Sequence, residues 1–279
     1  MTEKEILLTS ILQCSRSVLY TQRPSLDSLQ LEKFNEALAL RAQGVPLQYI
    51  LGEVEFYGLT FKTDKRALIP RPETEVLVEA AMKKIENRGL KTETILDIGT
   101  GSGCIAVSIA KFSPMVKVTA VDISFEALSL AKENAILHSV NDRINFIQCD
   151  LLSALPAEGG SLPDRQASAC GGSFQFLAFD FIISNPPYIR SHEIRGLQPE
   201  LGHEPRIALE GGKDGLVFYR RIIKDAHTLL KKGGLLLIEI GFAQRKAIEK
   251  ISARQNSLKL VEVINDYSGI ERIMVFRYG

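Results

Sequence analysis

The stretch at residues 94–103, TILDIGTGSG, decides the fold. Its first half is an apolar run typical of a buried strand. Its second half alternates glycine with small polar residues, and an apolar helical pattern follows. Alternating glycines let a backbone pass close to a ligand where a Cβ would block it, and the helix behind them offers unpaired N–H groups. The stretch therefore predicts a strand, a ligand-binding turn and a helix.

The glycine spacing of this turn limits the class of ligand. It follows a GxGxG pattern, whereas dinucleotide-binding proteins carry GxGxxG. This difference disfavours an NAD-dependent dehydrogenase. The motif alone also leaves open a glycine-rich turn without any ligand. The candidate cofactor-binding residues in this turn are Gly99, Thr100, Gly101, Ser102 and Gly103.

Downstream of the turn, apolar strand patterns alternate with helical patterns. Four further strands are predicted at KVTAVD (117–122), RINFIQCD (143–150), FDFIISN (179–185) and GGLLLIEIG (233–241). Helices are expected at about 124–138, at about 216–230 and from about 244. The last two strands, near 258–264 and 270–278, have no helix between them and should form an antiparallel hairpin. The pattern predicts an α/β fold with a doubly wound, mostly parallel sheet of seven strands.

Upstream, the pattern is helical. Thr2 and Glu5 fit a capping box, and a second helix is expected at 29–43, ended by Gly44 and Pro46. Residues 53–63 alternate like a hairpin that turns at Gly58, and Pro72 suits the first turn of a helix to about 87. We therefore predict a small helical N-terminal domain with a hairpin at 1–63, a linker at 64–75 and a second domain at 76–279. Residues 156–178, rich in Gly, Ser, Ala and Pro, predict a solvent-exposed insertion.

Composition bounds the class of protein. The 279 residues carry a net charge of +1, with 45% hydrophobic and 24% charged residues. This balance is typical of a globular protein and disfavours direct binding to nucleic-acid phosphates. No signal peptide or membrane span is visible, so we expect a cytoplasmic protein. No CxxC pair occurs among the cysteines, and we predict no metal site and no disulfide framework. The cysteines are Cys14, Cys104, Cys149 and Cys170.

Two acidic residues follow the next strands at the edge of the sheet where doubly wound folds bind ligands. Asp122 could accept two hydrogen bonds from ribose hydroxyls, or it could cap the next helix, to which Ser124 has an equal claim. Asp150 could bind an adenine amino group, and Leu151 beside it could cover the base. A plain turn residue is the alternative for Asp150.

The most specific motif is Asn185-Pro186-Pro187-Tyr188, at the end of a strand. Methylating a planar amide or exocyclic amine is difficult because the lone pair of its nitrogen is delocalised. A site can help by accepting both N–H hydrogens, which aims the nitrogen at an incoming methyl group. Asn185 offers a side-chain oxygen and Pro186 a carbonyl, while Pro187 stiffens the loop and Tyr188 offers an aromatic face. We therefore predict that Asn185, Pro186 and Tyr188 are catalytic, and that all four residues bind substrate.

Other catalytic constellations are not evident. The sequence shows no Ser-His-Asp set, no paired catalytic carboxylates and no Walker lysine loop. We expect a structural role for His203. Glu204 and Arg206 are expected to be ion-pair partners in a loop, without a catalytic role.

Together these motifs resemble the class I S-adenosylmethionine-dependent methyltransferases. The resemblance then narrows to the protein-glutamine N5-methyltransferases that modify peptide chain release factors, the HemK/PrmC family. Its most specific segments are GVPLQYILG (44–52), EFYG (55–58) and LIPRPETE (68–75). Further similar segments are EP (204–205), AL (208–209), GGKDGL (211–216), EIG (239–241) and DYSG (266–269). The resemblance covers nearly the whole chain.

The resemblance implies a Rossmann-like catalytic domain, with a helical N-terminal domain that helps to bind the release factor. S-adenosylmethionine would be the cofactor and S-adenosylhomocysteine its product, bound by the glycine turn, Asp122, Asp150, Leu151 and Asn185. The methyl group would go to the glutamine of a Gly-Gly-Gln motif, and a monomer is expected. Two departures from the family are the long insertion at 156–178 and Leu151, where an aromatic residue often stands.

Three other interpretations of the sequence remain open. An adenine-N6 DNA methyltransferase would use the same NPPY chemistry but should carry a basic DNA-reading region. A ribosomal RNA guanine-N2 methyltransferase is disfavoured on the same ground, less decisively. A non-catalytic protein that binds S-adenosylmethionine would keep the glycine turn but would not need Asn185.

Overall fold

A seven-stranded mixed sheet organises the computed structural model of the chain, in which residues 2–89, 93–153, 155 and 178–279 are described. The described strands are β1 Glu53–Phe56, β2 Leu59–Lys62, β3 Thr94–Ile98, β4 Lys117–Asp122, β5 Ile144–Gln148, β6 Phe179–Ser184, β7 Leu230–Glu239, β8 Leu258–Asn265 and β9 Glu271–Tyr278. The described α-helices are α1 Glu3–Ile11, α2 Arg16–Thr21, α3 Ser28–Ala42, α4 Leu47–Leu51, α5 Pro72–Arg88, α6 Cys104–Phe112, α7 Phe125–Leu137, α8 Val217–Asp225 and α9 Arg245–Ser252.

The large sheet has the strand order β5-β4-β3-β6-β7-β9-β8. Strands β3 to β7 pair in parallel, as the alternation of strands and helices predicts. The last strand, β9, lies antiparallel between β7 and β8, so that Met274 stands opposite Ile238 on one side and Val263 on the other. The predicted α/β class and the antiparallel C-terminal hairpin are confirmed.

Helices cover both faces of the sheet. One face is buried beneath α5 and α6, and the hairpin β1–β2 packs into the same apolar cluster through Phe56 and Phe61. These two rings meet edge to face at 5.9 Å. The other face is buried beneath α8 and α9, with Tyr219 and Ile248 fully enclosed. The hairpin therefore shares its core with the large sheet.

The N-terminal helices pack mainly on one another. Thr2 and Glu5 form the predicted capping box of α1, and α3 ends at Ala42, next to the predicted stop residues. The short helices α2 and α4 were not predicted. The buried apolar side chains of α1 and α3 are Leu7 and Ala37. The division into 1–63, 64–75 and 76–279 stays a prediction.

The residues at the two ends of α5 explain why this segment forms a helix. Pro72 occupies its first turn, where a missing N–H costs nothing, and Glu73 and Glu75 lie at its positive end. Gly89 ends it in the left-handed conformation, at φ 61°.

Two sequence predictions need correction, and a third falls outside the described residues. The helix expected at 216–230 ends at Asp225 and continues only as a 3₁₀ turn at Ala226–Thr228. Strand β7 begins at Leu230, earlier than the predicted 233. The predicted insertion at 156–178 lies outside the described residues, apart from Ala178. Within the described ranges, no helix combines the length and apolar character needed to cross a membrane.

Candidate active site

The carboxyl ends of β3, β4, β5 and β6 meet at one edge of the sheet, because these strands run parallel. A cavity of about 250 Å³ lies at this edge. It brings together six predicted cofactor residues: Gly99, Gly101, Asp122, Asp150, Leu151 and Asn185. We call it the cofactor cavity.

The other three predicted cofactor residues lie outside the lining of this cavity. Thr100 is buried, and its hydroxyl donates to the Asp97 carboxylate at 2.7 Å. Ser102 is also buried. Gly103 adopts φ 81°, and a Cβ at this position would stand 2.9 Å from the Cβ of Ala131 on α7. The third glycine of the motif therefore lets α6 and α7 pack closely, while the first two face the cavity.

The side chain of Asp122 ties the glycine turn to the end of β4. Its carboxylate accepts the N–H of Gly101 at 2.9 Å and the N–H of Ser124 at 2.9 Å. Ser124 itself caps α7 by accepting the N–H of Ala127, which decides between the two candidate caps. Burial raises the pKa of Asp122, and the backbone N–H groups oppose this shift.

Asp150 and Leu151 meet helix α8 at the far end of the cofactor cavity. The Asp150 carboxylate accepts from the Arg221 guanidinium at 2.8 Å. Phe218, one helical turn earlier, lines the same cavity. An aromatic side chain is thus present even though Leu151 replaces the expected one. Neither Phe218 nor Arg221 was predicted, since their helix follows Asp150 by about 70 residues.

A second cavity, of about 460 Å³, lies on the other side of the NPPY motif. All four residues of the motif line it. The residues shared by the two cavities are Leu68, Asn185, Pro187 and Ala208. A group held in the second cavity would therefore meet the contents of the first at Asn185. We call this second space the substrate cavity.

Asn185 is held by one end of its amide. Its Nδ2 donates to the hydroxyl of Thr74 at 2.9 Å, and that hydroxyl donates to Oε2 of Glu239 at 2.8 Å. Within the described ranges the other end of the amide, Oδ1, accepts no hydrogen bond. Glu239 is 1% exposed, and burial raises its pKa to about 7. Neither Glu239, which lies in EIG, nor Thr74, which lies in LIPRPETE, was predicted to be a site residue.

Tyr188 closes the substrate cavity as a neutral phenol. Burial raises its pKa to about 12. Its backbone carbonyl accepts from Nε2 of Gln244 at 3.1 Å. Gly211 lies so close that a Cβ there would stand 2.7 Å from the carbonyl oxygen of Pro187. The motif is therefore fixed by backbone packing as well as by its prolines.

Residues 66–71 and residues 204–209 form a wall common to both cavities, and Glu204 joins these two segments. Its buried carboxylate accepts the N–H of Ile69 at 3.0 Å and pairs with Arg71. Arg206 pairs with Glu210 at 2.6 Å. The expected ion-pair roles of Glu204 and Arg206 are confirmed, and Glu204 also positions the segment that precedes α5.

The N-terminal helices reach the substrate cavity through polar contacts. Arg41 on α3 contacts Glu3 at 2.9 Å and Glu200 at 2.9 Å, and all three side chains line the cavity. His203 lies beside them, with Nε2 at 3.3 Å from the carbonyl oxygen of Gln43. This contact fits the structural role expected for His203.

Comparisons with protein families agree with this arrangement. Residues 90–274 match the family model described as a methyltransferase domain, and residues 2–52 match the PrmC N-terminal domain. Among solved structures, a methyltransferase from Pyrococcus furiosus has a TM-score of 0.53 at 17% identity and covers 91% of this chain and 100% of its own. The hMettl16 catalytic domain, in complex with the MAT2A 3′UTR hairpin 6, has a TM-score of 0.58 at 16% identity, covering 90% of this chain and 82% of its own. Such low identities show the fold alone.

Curated relatives are much more similar in sequence. The release factor glutamine methyltransferase of Thermodesulfovibrio yellowstonii is 37% identical, over 99% of this chain and 91% of its own. That of Chlorobaculum tepidum is 41% identical, over 96% of this chain and 87% of its own. With its two cavities joined at the NPPY motif and relatives of this similarity along nearly its whole length, the chain belongs to the family of release factor glutamine methyltransferases.

Proposed function

We propose that this protein transfers a methyl group from S-adenosylmethionine to the side-chain amide nitrogen (N5) of the glutamine in the Gly-Gly-Gln motif of peptide chain release factors, and so modulates translation termination. The observation that carries this proposal is the position of Asn185. It lines both cavities, and its unpaired Oδ1 is an acceptor for a substrate N–H.

The cofactor cavity fits S-adenosylmethionine in the chemistry of its lining. The Asp122 carboxylate is an acceptor for ribose hydroxyls, and Asp150 is an acceptor for an adenine amino group. Gly99 and Gly101 leave room for a ligand, and Phe218 gives an aromatic wall. When bound, the cofactor supplies an electrophilic methyl group on a sulfonium ion.

Asn185 and Pro186 would hold the substrate amide by its two N–H groups. Oδ1 of Asn185 accepts one and the backbone carbonyl of Pro186 accepts the other, which directs the nitrogen lone pair toward the cofactor cavity. Tyr188 and Pro187 would pack on the faces of the planar amide. The substrate nitrogen would take up the methyl group that the sulfonium supplies, leaving the thioether product, and would then lose a proton to water. No carboxylate base is needed, because this proton becomes acidic only after the transfer.

The substrate cavity also suits a protein loop. It is larger than the cofactor cavity, and both the N-terminal helices and the catalytic domain contribute to its lining through Arg41, Glu3 and Glu200. We propose that the helical domain helps to bind the release factor. The chain would act in the cytoplasm, where release factors work, as a monomer. The alternative, a methyltransferase for adenine N6 or guanine N2 in nucleic acids, is less favoured by the near-neutral net charge and by the relatives.

Transfer of a labelled methyl group tests this function. The protein is incubated with labelled S-adenosylmethionine and, separately, a release factor, the same factor with the motif glutamine replaced by alanine, and DNA. We expect label on the unaltered release factor, at the glutamine of the Gly-Gly-Gln motif. Label on DNA, with none on the release factor, would overturn the proposal.

A further inference from the structure

Three polar side chains from distant parts of the sequence form a hydrogen-bonded line in the wall of the substrate cavity, which Asn185 and Glu239 also line. Thr74 lies in the first turn of α5, Glu239 at the end of β7 and Asn185 directly after β6. Thr74 is 3% exposed and Glu239 is 1% exposed. Burying such groups is unfavourable unless they are hydrogen-bonded to one another. Here each bonds to the next, at 2.9 Å and 2.8 Å.

The available donor hydrogens fix the direction of the hydrogen bonds in this line. A carboxylate can only accept, so the single hydroxyl proton of Thr74 goes to Glu239. The Thr74 oxygen then has only lone pairs left for Asn185. It can accept from the amide Nδ2 but cannot donate to Oδ1. The nitrogen end of the amide is thereby held against α5, and the oxygen end must face away from Thr74.

We propose that Thr74 and Glu239 are positioning residues, which hold the Asn185 amide in the one orientation that presents its oxygen to the substrate N–H. This inference rests on the proposed function. It deepens that function by assigning a role to two residues that do not themselves touch the reacting atoms. Neither residue was predicted to have a role from the sequence motifs.

Protonation of Glu239 would remove the fixed direction of the hydrogen bonds that run from Asn185 through Thr74 to Glu239. A carboxylic acid could donate to the Thr74 oxygen, and the Thr74 proton would then be free to turn toward Asn185. An amide that turned over would offer N–H groups to a substrate that also carries N–H groups. Because burial raises the pKa of Glu239 to about 7, this loss falls in an accessible pH range.

The groups that face Glu239 come from several elements. They are Asn185, Tyr188, Arg272, Glu73, Tyr219 and Cys104. Burial raises the pKa of Tyr188 and of Cys104 to about 12, and it also raises the pKa of Tyr219 well above its usual value. Burial raises the pKa of Glu239; the hydrogen bond from Thr74, the Arg272 guanidinium and the Asn185 side chain favour its charged form, while Glu73 opposes it.

The test compares Thr74→Val, which removes the hydroxyl, with Thr74→Ser, which keeps it. At saturating cofactor we expect Thr74→Val to lower kcat for release-factor methylation by about 10–100-fold, the scale of a misplaced reacting group. Thr74→Ser should stay close to the parent. The matched control is Thr63→Val, since the Thr63 hydroxyl is buried without a partner among the described residues. Calorimetry should show unchanged cofactor affinity for all three variants.

The pH profile separates positioning from packing. The kcat of the parent should fall as the pH drops through about 7. Glu239→Gln should lower kcat at pH 8 and remove this fall, because its amide does not titrate. The control is Glu93→Gln, since Glu93 is also buried, with a pKa raised to about 7, but precedes β3 at the opposite edge of the sheet. It should keep the parent profile.

Several results would overturn the inference. These are a parent-like kcat in Thr74→Val, an equal loss in Thr74→Ser, or an unchanged acidic fall in Glu239→Gln. If the parent itself does not methylate a release factor, the proposed function fails instead. In that case NMR can report the orientation of the Asn185 side-chain amide without an activity measurement, through the NH₂ signals of this side chain. These protons should exchange slowly with water in the parent and in Thr74→Ser, and faster in Thr74→Val; equal exchange rates would also sink the inference.

Discussion

The two ends of the Asn185 amide differ in their surroundings. Its nitrogen donates to Thr74, its oxygen accepts no hydrogen bond among the described residues, and the residue lines both cavities. Asn185→Ala should lower kcat by about 10²–10³-fold, as losing one preorganised polar contact does in other enzymes. Cofactor affinity by calorimetry should change little, because Asp122 and the glycine turn remain. A folded variant that methylates a release factor at the parent rate would remove Asn185 from the mechanism.

The burial of Glu239 should also affect stability. Its pKa rises from 4.5 to about 7 on folding, so the folded state binds the proton more tightly than the unfolded state. The contribution of this group to the free energy of unfolding therefore decreases as the pH rises from 4.5 to 7. The loss is about 3 kcal/mol at pH 8, at about 1.4 kcal/mol for each pKa unit.

Glu239→Gln should remove this dependence. Denaturant unfolding of parent and variant at pH 5 and pH 8 isolates the contribution of Glu239, because Asp97 and Glu93, whose pKa values also rise to about 7, are present in both. We expect the variant to gain stability relative to the parent at pH 8 and less at pH 5. A difference between the two proteins that does not change with pH would contradict this expectation.

At the scale of elements, a substitution of Gly103, the third glycine of the turn, tests whether packing or ligand binding requires a glycine at this position. Gly103→Ala places a Cβ 2.9 Å from Ala131 and keeps an unfavourable φ of 81°. It should destabilise the fold by about 1–3 kcal/mol, while the folded fraction still binds cofactor. Gly99→Ala is the matched variant, because its φ is 70° but nothing lies within 4 Å of the added Cβ. It should be the more stable of the two in thermal unfolding; the reverse order would refute the packing role.

The order of elements could be predicted from the sequence because periodicity reports which faces are buried. The parallel strands and the C-terminal hairpin follow from alternating strand and helix patterns and from a missing helix. The end of α8 could not be placed, since Ala226 in the 3₁₀ turn and Leu229 directly after it are buried as they would be in a helix. The apolar pattern is the same in both cases, and only the backbone hydrogen bonds distinguish them.

At the scale of the whole molecule, some residues of the candidate site could be predicted from their positions in the sequence, and others could not. The glycine turn, Asp122 and NPPY were predicted because each directly follows a strand whose carboxyl end lies at the ligand-binding edge. Thr74 is 111 residues from Asn185 and 165 from Glu239, so no local spacing connects them. Their association depends on α5 packing across the end of β7, which only the folded chain reveals.

The N-terminal helices should affect substrate binding more than chemistry. Arg41 joins α1 to the wall of the substrate cavity by pairing with both Glu3 and Glu200, and its side chain is 23% exposed. Arg41→Met keeps the apolar stem and removes both pairs. Because a partly exposed pair contributes up to about 1 kcal/mol, we expect KM for the release factor to rise by about three- to tenfold. Neither kcat nor cofactor affinity should change, since the cofactor cavity is lined by other elements.

The control for Arg41→Met is Arg245→Met. Arg245 also pairs with two carboxylates, Glu249 and Glu271, but lines neither cavity. Its loss should leave KM unchanged, although it removes the same charge from the protein. An equal rise in KM in both variants would point to the net charge of the chain. A fall in kcat or in cofactor affinity in Arg41→Met alone would mean that the helical domain shapes the catalytic centre itself.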